Sequence, residues 1–316
     1  MTGAGTARYF GERRGCPWCA RAGSDVLATV RYRETAEANP ALPDIEGKLY
    51  ACGECGVAFP SHSYEPAAFH LLYAKTFKDL DYFDRTLLQT IRKRYIRRVL
   101  RHRDGAVATA LDALSAHALQ VPLVTRRPRG LRVLDVGCGF GEWLEIFREL
   151  GAEVTGTEII PELVTRLRSR GYDVHQGELE SLDLNGARFD VVVIRAVFYR
   201  TRDPVATLTK VQSLLAPGGE LALLDPCPGR DGVEYFFRKQ FPQGQFYILD
   251  PDRYLAMLEA RFGLRCTRRH LIYGRPTAPL KPVGYFGNVY GLAELMAANL
   301  LHQKPYMLNY NVQSTR

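Results

Sequence analysis

The feature that most constrains the fold is the stretch LRVLDVGCGFGEWLEIFRELG at residues 131–151. It opens with a short apolar run that contains β-branched valines, which is typical of a buried parallel strand. Gly137, Gly139 and Gly141 follow, and the apolar residues after Glu142 recur at helical spacing. A strand, a glycine-rich turn and a helix in this order bring the backbone close to a ligand and aim helix N–H groups at it.

The spacing of the glycines excludes two common classes of phosphate-binding turn. A P-loop requires a lysine after its last glycine, and none follows here. A dinucleotide-binding turn has the pattern GxGxxG, whereas this turn has GxGxG. Asp135, two residues before the first glycine, suits a ligand that carries a cation better than it suits a pyrophosphate.

The motif LDVGCGFG resembles motif I of the class I S-adenosylmethionine (SAM) methyltransferases, and the downstream elements follow the order of that family. A second strand ends in Glu158, about twenty residues further on, where an acidic residue would hold ribose hydroxyls. Further strands are predicted at 172–175 and 189–194, and Pro217-Gly218-Gly219, within the family-like motif LLAPGGEL, precedes a fifth at 220–224. The resemblance covers residues 129–269 and implies an α/β fold, a doubly wound Rossmann-like methyltransferase sheet.

The resemblance also implies which residues surround SAM. Asp135 is expected at the methionine end and Glu158 at the ribose, with Ile159 and Leu179 on either side of the adenine and Glu178 near its edge. The predicted SAM-binding set is Asp135, Gly137, Cys138, Gly139, Glu158, Ile159, Glu178, Leu179 and Arg195.

The segment after the fourth strand, RAVFYRTRDP at 195–204, is expected to decide the chemistry. It lacks the NPPY motif of amide and ring-amine methylation. Zinc-containing relatives that methylate sugar carbon use a Glu-His pair here, and this chain has Tyr199-Arg200 instead. We predict that Tyr199 orients or deprotonates a substrate hydroxyl and that Arg200 or Arg195 binds a carboxylate or phosphate. His175 is a further catalytic candidate, with a purely structural role as its alternative.

Two CxxC pairs near the start of the chain predict a metal site. Cys16 and Cys19 are followed, after a gap of 32 residues, by Cys52 and Cys55. Four thiolates suit one tetrahedral Zn²⁺ that has a structural role. The alternatives are disulfides, which a cytosolic chain disfavours, and thioredoxin-like redox chemistry, for which no βαβ pattern surrounds CPWC.

The predicted domains are a zinc-ribbon-like module at 1–63, a helical connector or substrate cap at 64–128, the SAM-binding domain at 129–275 and a tail with a helix at 276–316. The substrate pocket is expected from the helical connector or from the aromatic segment 225–254, which would form a lid; ordinary core packing is the alternative for that segment. Three tail aromatics would either cover the site or mediate contact in a homodimer: Tyr285, Phe286 and Tyr290.

The net charge of +8 and an arginine-rich helical stretch at 79–103 keep a nucleic-acid partner open. A solvated helix packed on the SAM-binding domain explains the same stretch. No run of 18 apolar residues exists, and the first residues lack the apolar core of a signal peptide, so we expect a cytoplasmic protein that makes no membrane contact.

Together these features predict a SAM-dependent methyltransferase. A zinc ribbon in front of a SAM domain resembles bacterial small-molecule methyltransferases, so a biosynthetic metabolite is the expected substrate. O-methylation is favoured because a hydroxyl needs the least specialised chemistry, and the cations suggest a substrate with an anionic group. The alternatives are an RNA methyltransferase with a zinc module and a SAM-binding protein without catalysis.

Overall fold

The computed structural model describes residues 9–23, 25–34, 40–68, 71–72, 93–94, 96–97, 100–101, 122, 124–239, 244–273 and 305–315. The helices around the central sheet are α1 Glu142–Glu149, α2 Pro161–Ser169, α3 Pro204–Leu214, α4 Gly229–Lys239 and α5 Pro251–Phe262. The strands are β1 Phe10–Glu12, β2 Asp25–Arg31, β3 Glu46–Cys52, β4 Val57–Pro60, β5 His62–Tyr64, β6 Arg132–Val136, β7 Glu153–Glu158, β8 Asp173–Gln176, β9 Phe189–Arg195, β10 Leu215–Pro226, β11 Tyr247–Ile248, β12 Leu264–Tyr273 and β13 Pro305–Ser314.

Seven strands form the central sheet in the order β12-β13-β10-β9-β6-β7-β8. Five strands are parallel to one another: β10, β9, β6, β7 and β8. Strand β13 is antiparallel to both β10 and β12. The chain proceeds from β6 outward to β8 and then returns to the other side of β6 with β9. This reversal is the topological switch point of a doubly wound sheet, where ligands bind at the carboxyl ends of the strands. The predicted fold class is confirmed.

Strand β9 shows why this sequence forms the centre of a parallel sheet. Val191, Val192, Val193 and Ile194 are all fully buried, because helices cover both faces of the sheet. A run of β-branched side chains fits this environment, since stiff branched residues pack well on a pleated surface. The strand lies between β6 and β10, so its carboxyl end opens directly at the switch point.

Strand β13 corrects the predicted boundary at residue 275. The tail at 276–316 was expected to be separate from the SAM-binding domain, but residues 305–314 lie inside the central sheet between β10 and β12. Leu308, Tyr310 and Val312 are fully buried there. The predicted tail helix and the three tail aromatics lie outside the described residues.

A second, four-stranded sheet has the order β11-β4-β3-β2 and contains a hairpin of β3 and β4. We call residues 9–64, which hold the four cysteines of the CxxC pairs, the cysteine module. Its sheet is completed by β11, which belongs to the chain segment between α4 and α5. The module therefore shares a sheet with the domain that follows it.

The aromatic segment predicted as a lid is core instead. Phe236, Phe237, Phe246 and Tyr247 are at most 2% exposed and belong to one apolar cluster with residues of the cysteine module. Arg238 donates to Glu34 of that module at 3.0 Å. These side chains pack the module onto the central sheet, as the core-packing alternative proposed. No helix within the described part of the chain combines the length and apolarity needed to span a membrane.

Candidate functional site

A cavity of about 410 Å³ opens at the carboxyl ends of β6, β7, β8 and β9. The turn after β6, the end of β7 and the start of the loop after β8 form one side. The other side is formed by the segment after β9 and by the first turn of α3. Its lining includes seven of the predicted site residues: Gly137, Gly139, Glu158, Ile159, Glu178, Leu179 and Arg200.

The glycine turn after β6 approaches the cavity with backbone alone. Gly137 has a φ of 66°, and a Cβ there would lie 2.7 Å from a methyl group of Val197. A side chain at this position would therefore be strained and would clash with the opposite wall. Gly139, with a φ of 54°, donates its amide to Glu158 at 2.9 Å, so the turn is tied to the end of β7.

Glu158 presents a buried carboxylate to the cavity. Its Oε2 accepts from the amide of Gly139, and its Oε1 accepts from the amides of Ile159 and Ile160 at 2.8 and 3.1 Å. The pKa of Glu158 is raised, because the effect of burial outweighs that of these backbone hydrogen bonds, which favour the charged form. The side chain thus orders the start of α2 and offers an oxygen acceptor at the position expected for hydroxyl recognition.

Asp135 lies beneath the glycine turn, away from the cavity surface. Its Oδ2 finds no hydrogen-bond partner within the part of the chain that the structure describes. Burial and the nearby Glu158 raise the pKa of Asp135 well above its usual range, and Arg195 lowers it. A buried carboxylate oxygen without a partner suits a site that a cationic group completes.

Two other predicted SAM-binding side chains also lie off the cavity. The thiol of Cys138 packs in an apolar cluster with Leu144 and Leu167. The guanidinium of Arg195 donates to Asn309 Oδ1 at 2.7 Å, so strand β13 holds it. Cys138 therefore contributes only its backbone to the turn. Its amide donates to the carbonyl of Thr157 at 2.9 Å.

Tyr199, predicted to orient or deprotonate a substrate hydroxyl, is fully buried and is not among the residues that line the cavity. The short 3-10 turn Phe198–Arg200 directs its side chain into the core, and its hydroxyl accepts from Nε of Arg200 at 2.7 Å. Its amide donates to Asp225 at 3.1 Å, and its carbonyl accepts from the amide of Gln245 at 2.6 Å. Tyr199 therefore positions Arg200, which does line the cavity.

His175 is also outside the cavity. It lies in a separate cleft with Arg132, Asp173 and Arg188, and its Nε2 is 3.4 Å from Asp173 Oδ1. That cleft is lined by the first residues of β6, β7 and β9, so it lies at the amino ends of these strands and not at the switch point. The structure does not support the prediction that His175 is catalytic.

Several lining residues after β9 were missed by the sequence analysis, among them Thr201, Arg202, Asp203 and Thr207. A signal for this segment was present in the Asp-Pro pair at 203–204, which is typical of a helix start. In the structure, Asp203 Oδ1 accepts from the amide of Ala206 at 2.9 Å and caps α3. Residues just before such a cap lie at the carboxyl edge of the sheet, where the cavity is.

The four cysteines of the CxxC pairs converge on one point. Their sulfur atoms all lie within 4.8 Å of one another, and Sγ of Cys19 and Cys52 are 3.6 Å apart. Cys16, Cys52 and Cys55 are buried. Four thiols at this separation fit the ligand set of one tetrahedral metal ion.

A sequence profile described as a methyltransferase domain matches residues 77–268, more than half of the chain. The chain belongs to the methyltransferase domain family. The predicted recognition as a methyltransferase is confirmed. The fold of the sheet and the place of its cavity agree with this membership.

Relatives of this methyltransferase include two named ubiquinone biosynthesis O-methyltransferase. The one from Xanthomonas axonopodis pv. citri is 38% identical over 155 residues, which is 44% of this chain and 64% of the relative. The one from Cereibacter sphaeroides strain KD131 is 41% identical over 96 residues, 28% of this chain and 39% of the relative. The chain thus spans less than two thirds of the length of either protein.

A similar solved structure is that of an S-adenosylmethionine-dependent methyltransferase from Mesorhizobium loti. It has a TM-score of 0.47 and 17% sequence identity, and the match covers 64% of this chain and 98% of that one.

Proposed function

We propose that this methyltransferase transfers the methyl group of SAM to a hydroxyl group of a small biosynthetic metabolite. The observation that carries the proposal is the single cavity in which the glycine turn and Glu158 face Arg200 and the loop before α3. Such a cavity can hold a cofactor on one side and an acceptor on the other. The O-methyltransferase names of the relatives at 38% and 41% identity support oxygen as the acceptor atom.

The residues on the sheet side fit SAM. Glu158 would hold the ribose hydroxyls, and the glycine turn would approach the cofactor with its backbone. Ile159 is a large apolar side chain that is 37% exposed at the cavity, which suits contact with the adenine face. Leu179 and Glu178 would complete the adenine site, and the unpartnered oxygen of Asp135 would favour the cationic methionine end.

The chemistry needs little from the protein beyond alignment. SAM supplies a methyl group on a sulfonium, which is already activated for displacement. The protein must orient the acceptor oxygen, exclude water and accept a proton. Arg200, held by the Tyr199 hydroxyl, would bind an anionic group of the acceptor and fix its orientation. Asp203 lines the cavity on the side of Arg200 and Glu180 lines it from the loop after β8, and either carboxylate would serve as the proton acceptor.

We further propose that the four cysteines bind one Zn²⁺. The set of four thiolates fills a tetrahedral coordination sphere, so such an ion would have a structural role. The ion would hold together a module whose cysteines come from two separate segments of the chain.

The ion pairs of the described cations in the helical connector favour a small-molecule acceptor over RNA. Lys93 donates to Glu145 at 2.8 Å, and Arg97 pairs with Glu145 at 3.3 Å and with Glu149. These cations neutralise acidic residues of α1, as expected for a helix packed on the domain. This supports a small-molecule acceptor over the RNA alternative.

The test is a product assay on the purified protein. The protein with SAM is offered catechol, a hydroxybenzoate, an aliphatic hydroxy acid, an aniline, a thiophenol and total RNA, and products are identified by mass spectrometry. We expect S-adenosylhomocysteine together with a methyl ether of one of the hydroxyl compounds. Methylation of the amine, the thiol or RNA would contradict the proposal, as would failure to bind S-adenosylhomocysteine in calorimetry.

A further inference from the structure

We propose that the cysteine module is a positioning element of the active site, acting through Trp18 and Arg13 on the loop that forms the acceptor side of the cavity. We call residues 197–203 the acceptor loop. This inference rests on the proposed function, because it assigns the acceptor to this side of the cavity. Its structural basis is a set of contacts that reach the loop from residues near the four cysteines.

The first contact is made by Trp18, which lies between Cys16 and Cys19. Its side chain is only 1% exposed and is surrounded by aromatic rings. Phe198 of the acceptor loop is edge-on to it at 5.7 Å between ring centroids. The other rings around it belong to the segment after α4: Phe246 at 5.3 Å, Tyr254 at 5.6 Å and Phe262 at 6.0 Å.

The second contact is made by Arg13. Its Nη2 donates to the carbonyl of Arg202 at 3.2 Å and to Oε1 of Gln245 at 3.0 Å. The amide of Gln245 in turn donates to the carbonyl of Tyr199. Arg13 therefore holds the loop backbone directly at Arg202 and indirectly, through Gln245, at Tyr199.

The second pair of cysteines is attached to the segment 247–250 and not to the acceptor loop itself. The carbonyl of Gly56, next to Cys55, accepts from the amides of Leu249 and Asp250 at 2.8 and 3.0 Å. The strand β4 that follows pairs with β11. A metal bound by all four thiols would link this anchored hairpin to the loop that carries Trp18. Metal binding would then fix where Trp18 and Arg13 stand relative to the acceptor loop.

The hydrogen bonds that hold the cofactor side of the cavity come from the central sheet. The glycine turn is tied to β7 through Glu158, and both belong to the central sheet. Weakening the contacts of the module should therefore loosen the acceptor loop and leave SAM binding nearly unchanged. This asymmetry separates a positioning role from general stabilisation.

The experiment compares full-length variants by hydrogen–deuterium exchange with mass spectrometry, together with metal content and calorimetric titration with S-adenosylhomocysteine. Arg13→Ala removes the contact to the loop, and Arg13→Lys retains a cationic donor. Arg21→Ala is the matched control, because the Arg21 side chain is 68% exposed and pairs only at the surface with Glu54 in the same module.

We expect Arg13→Ala to keep its metal and to speed exchange at 197–203 about tenfold, the equivalent of one charged hydrogen bond. Peptides covering 153–160 and the affinity for S-adenosylhomocysteine should stay within about twofold of wild type. Arg13→Lys should restore part of the protection, and Arg21→Ala should behave as wild type. Removing the metal from the wild-type chain with a chelator should produce the same pattern as Arg13→Ala.

Unchanged exchange at 197–203 in Arg13→Ala would overturn the inference. A parallel loss of S-adenosylhomocysteine affinity and of protection at 153–160 would also overturn it, since the module would then be a general stabiliser. No readout requires a methyl acceptor. The inference can therefore fail while the proposed O-methylation stands, and the reverse also holds.

Discussion

The ring of Trp18 stands edge-on to the ring of Phe198, with an interplanar angle of 73°. This contact joins a residue between two candidate metal ligands to the first aromatic residue of the acceptor loop. It lies within one apolar cluster that runs from β1 to β13 and includes residues of both sheets. The cysteine module and the methyltransferase domain therefore share a core, and through it a change in the module is expected to reach the acceptor loop.

Replacing Cys52 and Cys55 together by serine should release about one zinc ion per chain, because two of the four ligands are lost. A structural zinc contributes directly to folding free energy, so the melting temperature should fall as well. Zinc content by mass spectrometry and thermal unfolding check both effects. Cys266→Ser is the control, since Cys266 lies on β12 and is not one of the four clustered cysteines. Equal metal content in the double variant and in this control would rule out the proposed site.

Replacing Glu158 by alanine should weaken SAM binding at least about tenfold, roughly 1.4 kcal/mol, because a charged hydrogen-bond acceptor is lost from the cavity. Glu158→Gln, which keeps one oxygen for the backbone amides, should have a smaller effect. Calorimetric titration measures both. Glu153→Ala, at the opposite end of the same strand and exposed, provides the comparison. If Glu158→Ala bound SAM as tightly as Glu153→Ala does, Glu158 would have no part in the cofactor site.

Replacing Arg200 by alanine should lower kcat/KM for an anionic hydroxyl acceptor about tenfold or more, through loss of a charged contact. SAM affinity should change little, because Arg200 belongs to the acceptor side. His175→Ala should keep at least about half of the activity, since surface substitutions away from a site have small effects. Steady-state kinetics with the acceptor found in the product assay decide this. A larger loss in His175→Ala than in Arg200→Ala would reverse the assignment made here.

Asp225 should make stability depend on pH in a defined direction. Burial raises its pKa to about 7, although Tyr310 donates a hydrogen bond to it at 2.8 Å. An unfolded aspartate titrates near about 3.9, so between these values the folded protein binds more protons than the unfolded chain. The contribution of Asp225 to stability is therefore largest below about pH 4 and is lost as the pH rises to about 7.

The loss attributable to Asp225 is of the order of 4 kcal/mol across this window. Urea unfolding at pH 4.5 and pH 7.5 should show a smaller change for Asp225→Asn than for wild type. Tyr310→Phe removes the donor that stabilises the carboxylate, so its pKa should rise further and the loss should extend to higher pH. An identical pH dependence of Asp225→Asn and wild type would show that Asp225 does not titrate as described.

The parts of the site that the sequence predicted are those encoded by local pattern. Glu158 could be placed because an alternating strand after the glycine turn must end at the carboxyl edge of the sheet. The cysteine pairs could be assigned to one metal site because CxxC spacing is typical of metal ligands, whatever the conformation of the chain between the two pairs.

The parts that were missed depend on contacts between distant segments. Burial of Tyr199 is set by Asp225 and Gln245, which lie 26 and 46 positions further along the chain. From the sequence alone, the aromatic residues Phe246 and Tyr247 resemble part of a lid. Only the packed structure shows that the cysteine module covers them. Strand β13 has no glycine-rich or acidic signature, and its pairing with β10 and β12 cannot be read from its own residues.

The place of β13 between β10 and β12 has a consequence for synthesis of the chain. As residues emerge from the ribosome, the parallel strands and β12 become available long before residues 305–314 do. Until those residues arrive, β10 and β12 each present an unpaired edge, which is a template for association with other chains. Until β13 inserts, these edges leave the chain open to association, and variants that slow the insertion of β13 should lower the soluble yield in cells without altering the cavity.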